Sequence, residues 1–191
     1  MGLECAGIIS RVGSEGAARG FVVGDRVMCL LRQLHFANRA IADWTSVVAM
    51  LNEITCDEAA SIPSAFFSAY FCLAEVARLK LAQRVLIHDA AEDIGQAAIM
   101  IAQHIGGEVF ALVENDKKRE SIAKGYGIPL DQIFENADSS FSAAVLEATE
   151  GRGVDVVLSS RAGPLREAIS LVAPQGWFIQ LHDDRVGPGP I

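Results

Sequence analysis

The stretch from Arg84 to Ala98 constrains the fold most, because it changes from strand-like to helix-like within a few residues. It opens on Val85-Leu86-Ile87, a short apolar run typical of a strand buried on both faces. It continues with apolar residues at helical spacing: Ile94, Ala97, Ala98, Ile101 and Ala102. Asp93 is the expected N-cap of this helix, with Asp89 as the alternative for a wider turn. A strand, a tight turn and a helix in this order can bind a pyrophosphate at the helix N-terminus.

The chain beyond this stretch continues to alternate strands and helices. Further strands are predicted at 109–113, 132–134, 154–158 and 176–181, and helices at 94–104, 116–125, 140–150 and 164–172. Alternation at this length predicts right-handed crossovers and a parallel sheet. We therefore expect an α/β fold, a Rossmann-like doubly wound parallel sheet of about five strands in the order 3-2-1-4-5. The Gly-Pro run at 187–190 predicts that no further element follows.

The first part of the chain has a different character. Strands are predicted at 2–12 and 21–31, and the second region contains a tight turn at Gly24-Asp25 that leads into a strand at 26–31. A turn is predicted at 13–16 and a weaker strand near 46–48. Thr55 and Glu58 predict a capping box on a short helix, and a longer helix follows at 64–82. Its aromatic residues Phe67, Tyr70 and Phe71 are expected on the inner face, as core packing or as the lining of a pocket.

Composition excludes several classes of partner. The net charge of −8 argues against nucleic acid and anionic lipid. No signal peptide is visible, and no apolar run is predicted to span a bilayer. The four cysteines (Cys5, Cys29, Cys56 and Cys72) form no CxxC pair. They are interpreted as buried free thiols in a reducing, cytoplasmic compartment, with no metal site.

A series of segments then carries a specific likeness to a known family. In chain order they are Gly2-Leu3-Glu4-Cys5-Ala6-Gly7, Val23-Gly24-Asp25-Arg26-Val27-Met28, Glu58-Ala59-Ala60-Ser61-Ile62-Pro63, Gly95-Gln96-Ala97-Ala98-Ile99, Lys118-Arg119, Gly151-Arg152-Gly153-Val154-Asp155-Val156-Val157-Leu158 and Pro174-Gln175-Gly176-Trp177-Phe178. Together they resemble the enoyl-reductase domain of reducing polyketide synthases and animal fatty-acid synthases. That domain is a zinc-free branch of the medium-chain dehydrogenase/reductase superfamily. His104, Ile128-Pro129 and Ile133-Phe134 are similar to the fungal highly reducing synthases.

The resemblance implies a domain plan and a reaction. Residues 1–50 would be part of a GroES-like substrate domain, 51–83 connecting helices, and 84–191 a Rossmann-like cofactor domain incomplete at its C-terminus. By the same comparison both domains are shorter than in other members of the family. The family reduces an α,β-unsaturated acyl thioester on an acyl carrier protein with NADPH and no metal. The implied partners are the other domains of the synthase.

The resemblance also locates a cofactor turn that departs from the family pattern. The family reads Ala-Ala-x-Gly-Gly-Val-Gly. The matching residues here are Ala90, Ala91, Glu92, Asp93, Ile94 and Gly95, with Asp89 just before them and Gln96 just after. Glu92 and Asp93 stand where the family has glycines. They add side chains and put negative charge beside a pyrophosphate, at roughly 3–4 kcal/mol per like-charge contact before screening. The other interpretation of Asp93 is an N-cap of its own helix.

Glu114 and Lys118 are the candidate residues at the adenosine end of the site. An acidic residue after the second strand suits the free 2′-hydroxyl of NADH and repels the 2′-phosphate of NADPH. Lys118, with Lys117 and Arg119, can still attract that phosphate. The alternative is that these cations form a solvated first turn of a helix.

The remaining candidates lie towards the C-terminus. Ser160 matches a family serine near the nicotinamide, whereas Ser159 and Arg161 differ from the family residues. Asp183 occupies the position of the lysine that the family is proposed to use as proton donor. An ionised carboxylate is a poor general acid, so no catalytic residue is assigned. His182 is the alternative donor.

Two functions therefore remain open, with a weaker third. The first is a degenerate reductase, a pseudo-enzyme of secondary metabolism that keeps the fold and supports the synthase structurally. Its enoyl reduction would then come from a trans-acting reductase or be absent. The second is an active NADPH-dependent enoyl reductase. The third is an NADH-using protein similar to quinone oxidoreductases, favoured only by Glu114.

Overall fold

A computed structural model describes residues 3–31, 37–135, 141–160 and 165–181. Arg161, His182, Asp183 and the 187–190 run lie outside the described residues. The chain divides into two compact units, residues 1–67 and 68–191. The division into three segments that was predicted from the sequence (1–50, 51–83 and 84–191) stays a prediction.

The first unit contains a three-stranded antiparallel sheet. Its strands β1 (Glu4–Ile8), β2 (Arg26–Leu30) and β3 (Val47–Ala49) lie in the order β1-β2-β3. The predicted strand from Arg26 is confirmed, and the tight turn before it lies at residues 23–24, one residue earlier than predicted. The first predicted strand was too long, because residues 9–12 lie outside β1, and residues 21–22 form no strand. The predicted turn at 13–16 was also wrong, since helix α1 (Ser14–Ala18) begins there. Asp25 accepts a hydrogen bond from the backbone N–H of Val22 at 2.8 Å and so closes the turn into β2.

Helices α2 (Cys56–Ala59) and α3 (Pro63–Tyr70) follow, and α3 continues as a π-helix, Phe71–Val76. The capping box is confirmed: Thr55 accepts from the N–H of Glu58 at 3.2 Å, and the Glu58 carboxylate accepts from the N–H of Thr55 at 2.8 Å. The inner face was predicted wrongly. Small residues (Ala65, Ala69 and Cys72) are buried there, whereas Phe67, Tyr70 and Phe71 are exposed.

The helical stretch Cys56–Val76 is long and apolar enough to cross a membrane by length and composition. The expectation that no segment meets this test was therefore wrong. The same test is passed by core helices of soluble proteins. The π-helical turn and Pro63 interrupt the regular helix within this stretch.

The second unit is the predicted α/β sheet. Its parallel strands are β4 (Arg84–Ile87), β5 (Glu108–Val113), β6 (Ile133–Glu135), β7 (Val154–Ser159) and β8 (Val172–Gln180). The helices between them are α4 (Asp93–Ile105), α5 (Asp116–Tyr126), α6 (Phe141–Ala148) and α7 (Leu165–Ser170). The spatial order β6-β5-β4-β7-β8 is the predicted 3-2-1-4-5. β4 lies at the centre, which places the turn after it between neighbouring strand ends.

The helix ends differ slightly from the prediction. α4 ends at Ile105 with Gly106 as a left-handed C-cap, as the sequence indicated. α5 runs one residue beyond Gly125 and is capped by Gly127 instead. β4 contains the predicted run Val85-Leu86-Ile87, and His88 after it lies in the turn.

The core of this unit packs apolar side chains of the sheet against α6 and α7: Leu86, Phe110, Leu112, Phe141, Val145, Val154, Val157, Ala168 and Leu171. At the opposite ends of the strands, the carboxylate of Asp155 accepts from the N–H of Arg84 at 2.8 Å and from the guanidinium of Arg152 at 2.6 Å. Asp155 therefore joins β7 to the start of β4 and fixes the central strand that carries the turn.

Candidate active site

The turn after β4 ends in an acidic helix N-terminus. Glu92 is the N-cap of α4, and its side chain makes no capping bond. Asp93, predicted as the N-cap, is instead the first helical residue. Its carboxylate accepts from the backbone N–H of Ile94 at 2.8 Å. A helix binds anions through the free N–H groups of its first turn, so this bond occupies one of the donors that a pyrophosphate would need.

Gly95 lets α4 approach the turn closely. A Cβ at this position would meet the carbonyl oxygen of Asp89 and lie 2.7 Å from the Cα of Ala90. Only glycine fits this contact, which is the role of the last glycine in a dinucleotide-binding turn. The backbone geometry of the turn is therefore retained although its charge is changed.

A hydrogen-bonded chain braces the same turn from the side. The amide of Gln96 donates to the carbonyl of Ala91 at 2.8 Å, and the hydroxyl of Tyr126 donates to the Gln96 side chain at 2.7 Å. Tyr126 lies at the end of α5, and burial raises the pKa of its hydroxyl. These two hydrogen bonds connect the turn to the end of α5. No sequence pattern indicates this pair, because the two residues are 30 positions apart along the chain.

Lys118 is held between two carboxylates. Its Nζ lies 2.6 Å from Glu92 Oε1 and 2.8 Å from Glu114 Oε2. The hydrogen bonds to Glu114 and Glu92 raise the pKa of the Lys118 amine. With two carboxylates and one ammonium group, the cluster Glu92–Lys118–Glu114 has a net charge of −1. The lysine predicted to attract a phosphate is thus already paired, and the two acidic departures from the family pattern lie together.

A second polar contact reaches the turn from β7. Ser160 Oγ lies 3.3 Å from Asp89 Oδ2 and can donate to it. Asp89 has a positive φ of 50°, which aspartate tolerates better than most residues. The structure thus places Ser160, Ala90, Ala91, Gly95 and Gln96 around one turn. Their binding role stays a prediction.

His88 is a buried histidine next to this turn that the sequence analysis did not single out. It is 4% exposed, and its ring meets Phe141 edge-on with centroids 6.0 Å apart. Its Nε2 has no hydrogen-bond partner among the described residues. Burial lowers the pKa of His88 from 6.5 to about 4.

This histidine predicts a pH-dependent loss of stability. As the pH falls from 7 through 6.5 towards 4, the unfolded chain binds a proton at this position that the folded chain does not. The free energy of unfolding therefore falls by about 1.4 kcal/mol per pH unit, or about 3 kcal/mol in all. The measurement is denaturant unfolding of the wild type and of His88→Leu at pH 7, 5.5 and 4.5. The variant should lack this component, whereas His104→Leu, which removes an exposed histidine, should keep it. Parallel curves for His88→Leu and the wild type would contradict the prediction.

Comparisons with known proteins agree with this fold. A family profile described as zinc-binding dehydrogenase matches residues 94–181. Among the described residues, no group of three or more His, Cys, Asp or Glu is placed to hold a metal. The CurK enoyl reductase superposes with a TM-score of 0.82 at 32% identity, covering 97% of this chain and 54% of that one. A second solved structure is named as an enoyl reductase domain of a polyketide synthase. It is 37% identical, with a TM-score of 0.58, and the match covers 64% of this chain and 69% of that one.

Fungal sequences are more similar still. The highly reducing polyketide synthase sor1 of Hypocrea jecorina (strain QM6a) is 55% identical over 94% of this chain. The synthase sorA of Penicillium rubens (strain ATCC 28089 / DSM 1075 / NRRL 1951 / Wisconsin 54-1255) is 51% identical over 94% of it. The chain spans 7% of the length of these synthases. By its motifs, its fold and these relatives, the chain belongs to the enoyl-reductase domain family of polyketide synthases, within the medium-chain dehydrogenase/reductase superfamily.

Proposed function

We propose that this chain is a degenerate enoyl-reductase domain that has lost ordinary NADPH binding and acts structurally within a polyketide synthase. The observation that carries the proposal is the carboxylate pair at the N-terminus of α4. Asp93 occupies the N–H of Ile94, and Glu92 holds Lys118. A pyrophosphate would have to displace one carboxylate and approach another.

The wider charge pattern supports the same proposal. Acidic residues lie at or just after the C-terminal ends of β4, β5 and β6: Glu92, Asp93, Glu114, Asp116 and Glu135. Hydrogen bonding to Asp116 raises the pKa of Glu135, which indicates that carboxylates already crowd one another. A dinucleotide brings further negative charge to this edge. The retained scaffold, with Gly95 and the Gln96–Tyr126 brace, is consistent with conservation of the fold after loss of the site.

The alternative is an active NADPH-dependent enoyl reductase, favoured by the 32% identity to the CurK enoyl reductase. In that case Lys118 would leave the two carboxylates and bind the 2′-phosphate. Hydride would pass to the β-carbon of an α,β-unsaturated acyl thioester on an acyl carrier protein. An NADH-using function is the weaker alternative, and rests on Glu114 as a partner for a ribose 2′-hydroxyl. In each case we propose a cytoplasmic synthase whose other domains are the partners, with a trans-acting reductase if this domain is inactive.

Titration with NADPH and with NADH separates these functions. We expect no saturable binding of either nucleotide below about 1 mM, a loss of at least about 4 kcal/mol relative to micromolar binding. Isothermal calorimetry and nicotinamide fluorescence are the measurements, with adenosine 2′-monophosphate as a probe for the Lys118 end of the site. Saturable NADPH binding near 10 µM would overturn the degenerate-domain proposal. Preferential binding of NADH would favour the third function.

A further inference from the structure

Two cysteines that are distant in the sequence meet in the first unit. β1 and β2 pair antiparallel with Cys5 directly opposite Cys29. The two sulfur atoms lie 3.3 Å apart, and either thiol can donate to the other. Opposed residues of antiparallel strands have Cα atoms roughly 4.5–5.5 Å apart, within the 4.4–6.8 Å that a disulfide bridges. The backbone therefore already has the spacing of a disulfide, although both cysteines are free thiols here.

The pair also lies beside open space. Cys5 and Cys29 line a cavity of about 690 Å³ together with Val27, Leu31 and Val47 from the same face of the sheet. Cys5 is half-buried and Cys29 is buried. A small oxidant can reach the sulfur of Cys5 through this cavity without opening the sheet. The interpretation of all four cysteines as buried was wrong for Cys5, which is half-buried, and for Cys56, which is exposed.

We propose that Cys5 and Cys29 form a dithiol site that a hydroperoxide converts reversibly to a cross-strand disulfide. The proposal is independent of cofactor binding, because it concerns a different unit of the chain. The two thiols would be the reactive pair of this chain, and Cys56 and Cys72 would not take part.

The two cysteines have different roles in the reaction. Burial, and then the hydrogen bond with Cys5, raise the pKa of the Cys29 thiol to about 12, so Cys29 stays protonated. Cys5 is the less buried of the two and lines the cavity, so it is the attacking sulfur. Its sulfur attacks one oxygen of the hydroperoxide and the O–O bond breaks. The proton of the Cys5 thiol passes to the departing oxygen, so that an alcohol leaves and Cys5 becomes a sulfenic acid. The sulfur of Cys29 then attacks Cys5; the S–S bond forms, the S–O bond breaks, and water leaves with the Cys29 proton. Two thiols are thus oxidised by two electrons and the hydroperoxide is reduced to alcohol and water.

Peptide mapping tests the site on the intact 191-residue chain. Trypsin separates the two cysteines, because Cys5 lies in the peptide 1–11 and Cys29 in the peptide 27–32. After treatment with tert-butyl hydroperoxide and alkylation of free thiols, we expect peptide 1–11 linked to peptide 27–32. Dithiothreitol should release them. The thermal midpoint of the oxidised chain should rise by a few degrees and return on reduction, because the bond constrains the unfolded state.

Cys56→Ser and Cys72→Ser are the matched controls, and both should give the same linked peptides. Cys29→Ser should give a sulfenic acid on Cys5 that a dimedone probe traps. Because that variant could lose the sheet, the wild-type mapping decides the matter. The proposal is overturned if peptides 1–11 and 27–32 stay reduced while Cys56 is oxidised, or if disulfides form only between chains through Cys56.

Discussion

Replacement of Glu92 and Asp93 by glycine is expected to raise the affinity for NADPH by about 100-fold or more. At about 5 Å and an effective dielectric constant near 20, each like-charge contact with a phosphate costs roughly 3 kcal/mol before screening. The double change removes both contacts, frees the N–H of Ile94 and releases one of the two partners of Lys118. Calorimetric titration of the double variant with NADPH measures the effect, and dissociation constants in the micromolar range are expected.

Two further variants separate charge from shape. Glu92→Gln with Asp93→Asn removes the charge but keeps the side chains, so it should recover the electrostatic part only. Removal of two exposed carboxylates elsewhere, by Glu53→Gln and Glu147→Gln, changes the net charge equally and should leave binding unchanged. If the glycine variant folds and still shows no saturation at millimolar NADPH, the proposal that the acidic turn prevents NADPH binding is contradicted.

Most of the second unit was predictable from the sequence, because local pattern and tertiary structure agree there. The apolar run of β4, the helical spacing of α4 and the glycine after it each specify the same β-α unit, and the doubly wound arrangement supplies the strand order. The first unit was less predictable. Short strands and a short helix give weak periodicity, so α1 was interpreted as a turn and the strand over β1 was predicted too long.

The aromatic face of α3 shows a different limit. Apolar residues occur on more than one side of that helix, so the sequence pattern does not indicate which side is buried. In the structure small residues are buried, whereas Phe67 and Tyr70 are exposed. The candidate site was predictable in its residues but not in its contacts. Glu92, Glu114 and Lys118 were each singled out, yet their ion pairs depend on the parallel alignment of β4 and β5. The opposition of Cys5 and Cys29 likewise depends on a strand register that the sequence does not display.

The second large effect is expected from Gly95→Ala, which should destabilise the second unit by about 3 kcal/mol or more. Alanine normally stabilises a helix relative to glycine by up to about 1 kcal/mol, because it reduces the freedom of the unfolded chain. At this position the added Cβ would lie 2.7 Å from the Cα and 2.9 Å from the carbonyl carbon of Ala90. These are backbone atoms at the end of the central strand, so they cannot move away as a flexible side chain could. The measurement is denaturant unfolding at pH 7, with the free energy of unfolding compared to the wild type.

Gly125→Ala provides the opposite control. Gly125 lies within α5, and a Cβ there would meet no atom within 4 Å, so this variant should gain about 0.5–1 kcal/mol. Equal effects of the two substitutions would contradict the close contact between α4 and the turn. The contrast also bears on function. If Gly95 is required for stability alone, it would be retained in a domain that no longer binds a nucleotide. Positions 92 and 93, where the resemblance implies glycines that approach the phosphate, would then be free to carry Glu92 and Asp93. A degenerate reductase with an intact fold predicts this difference between position 95, which keeps glycine, and positions 92 and 93, which do not.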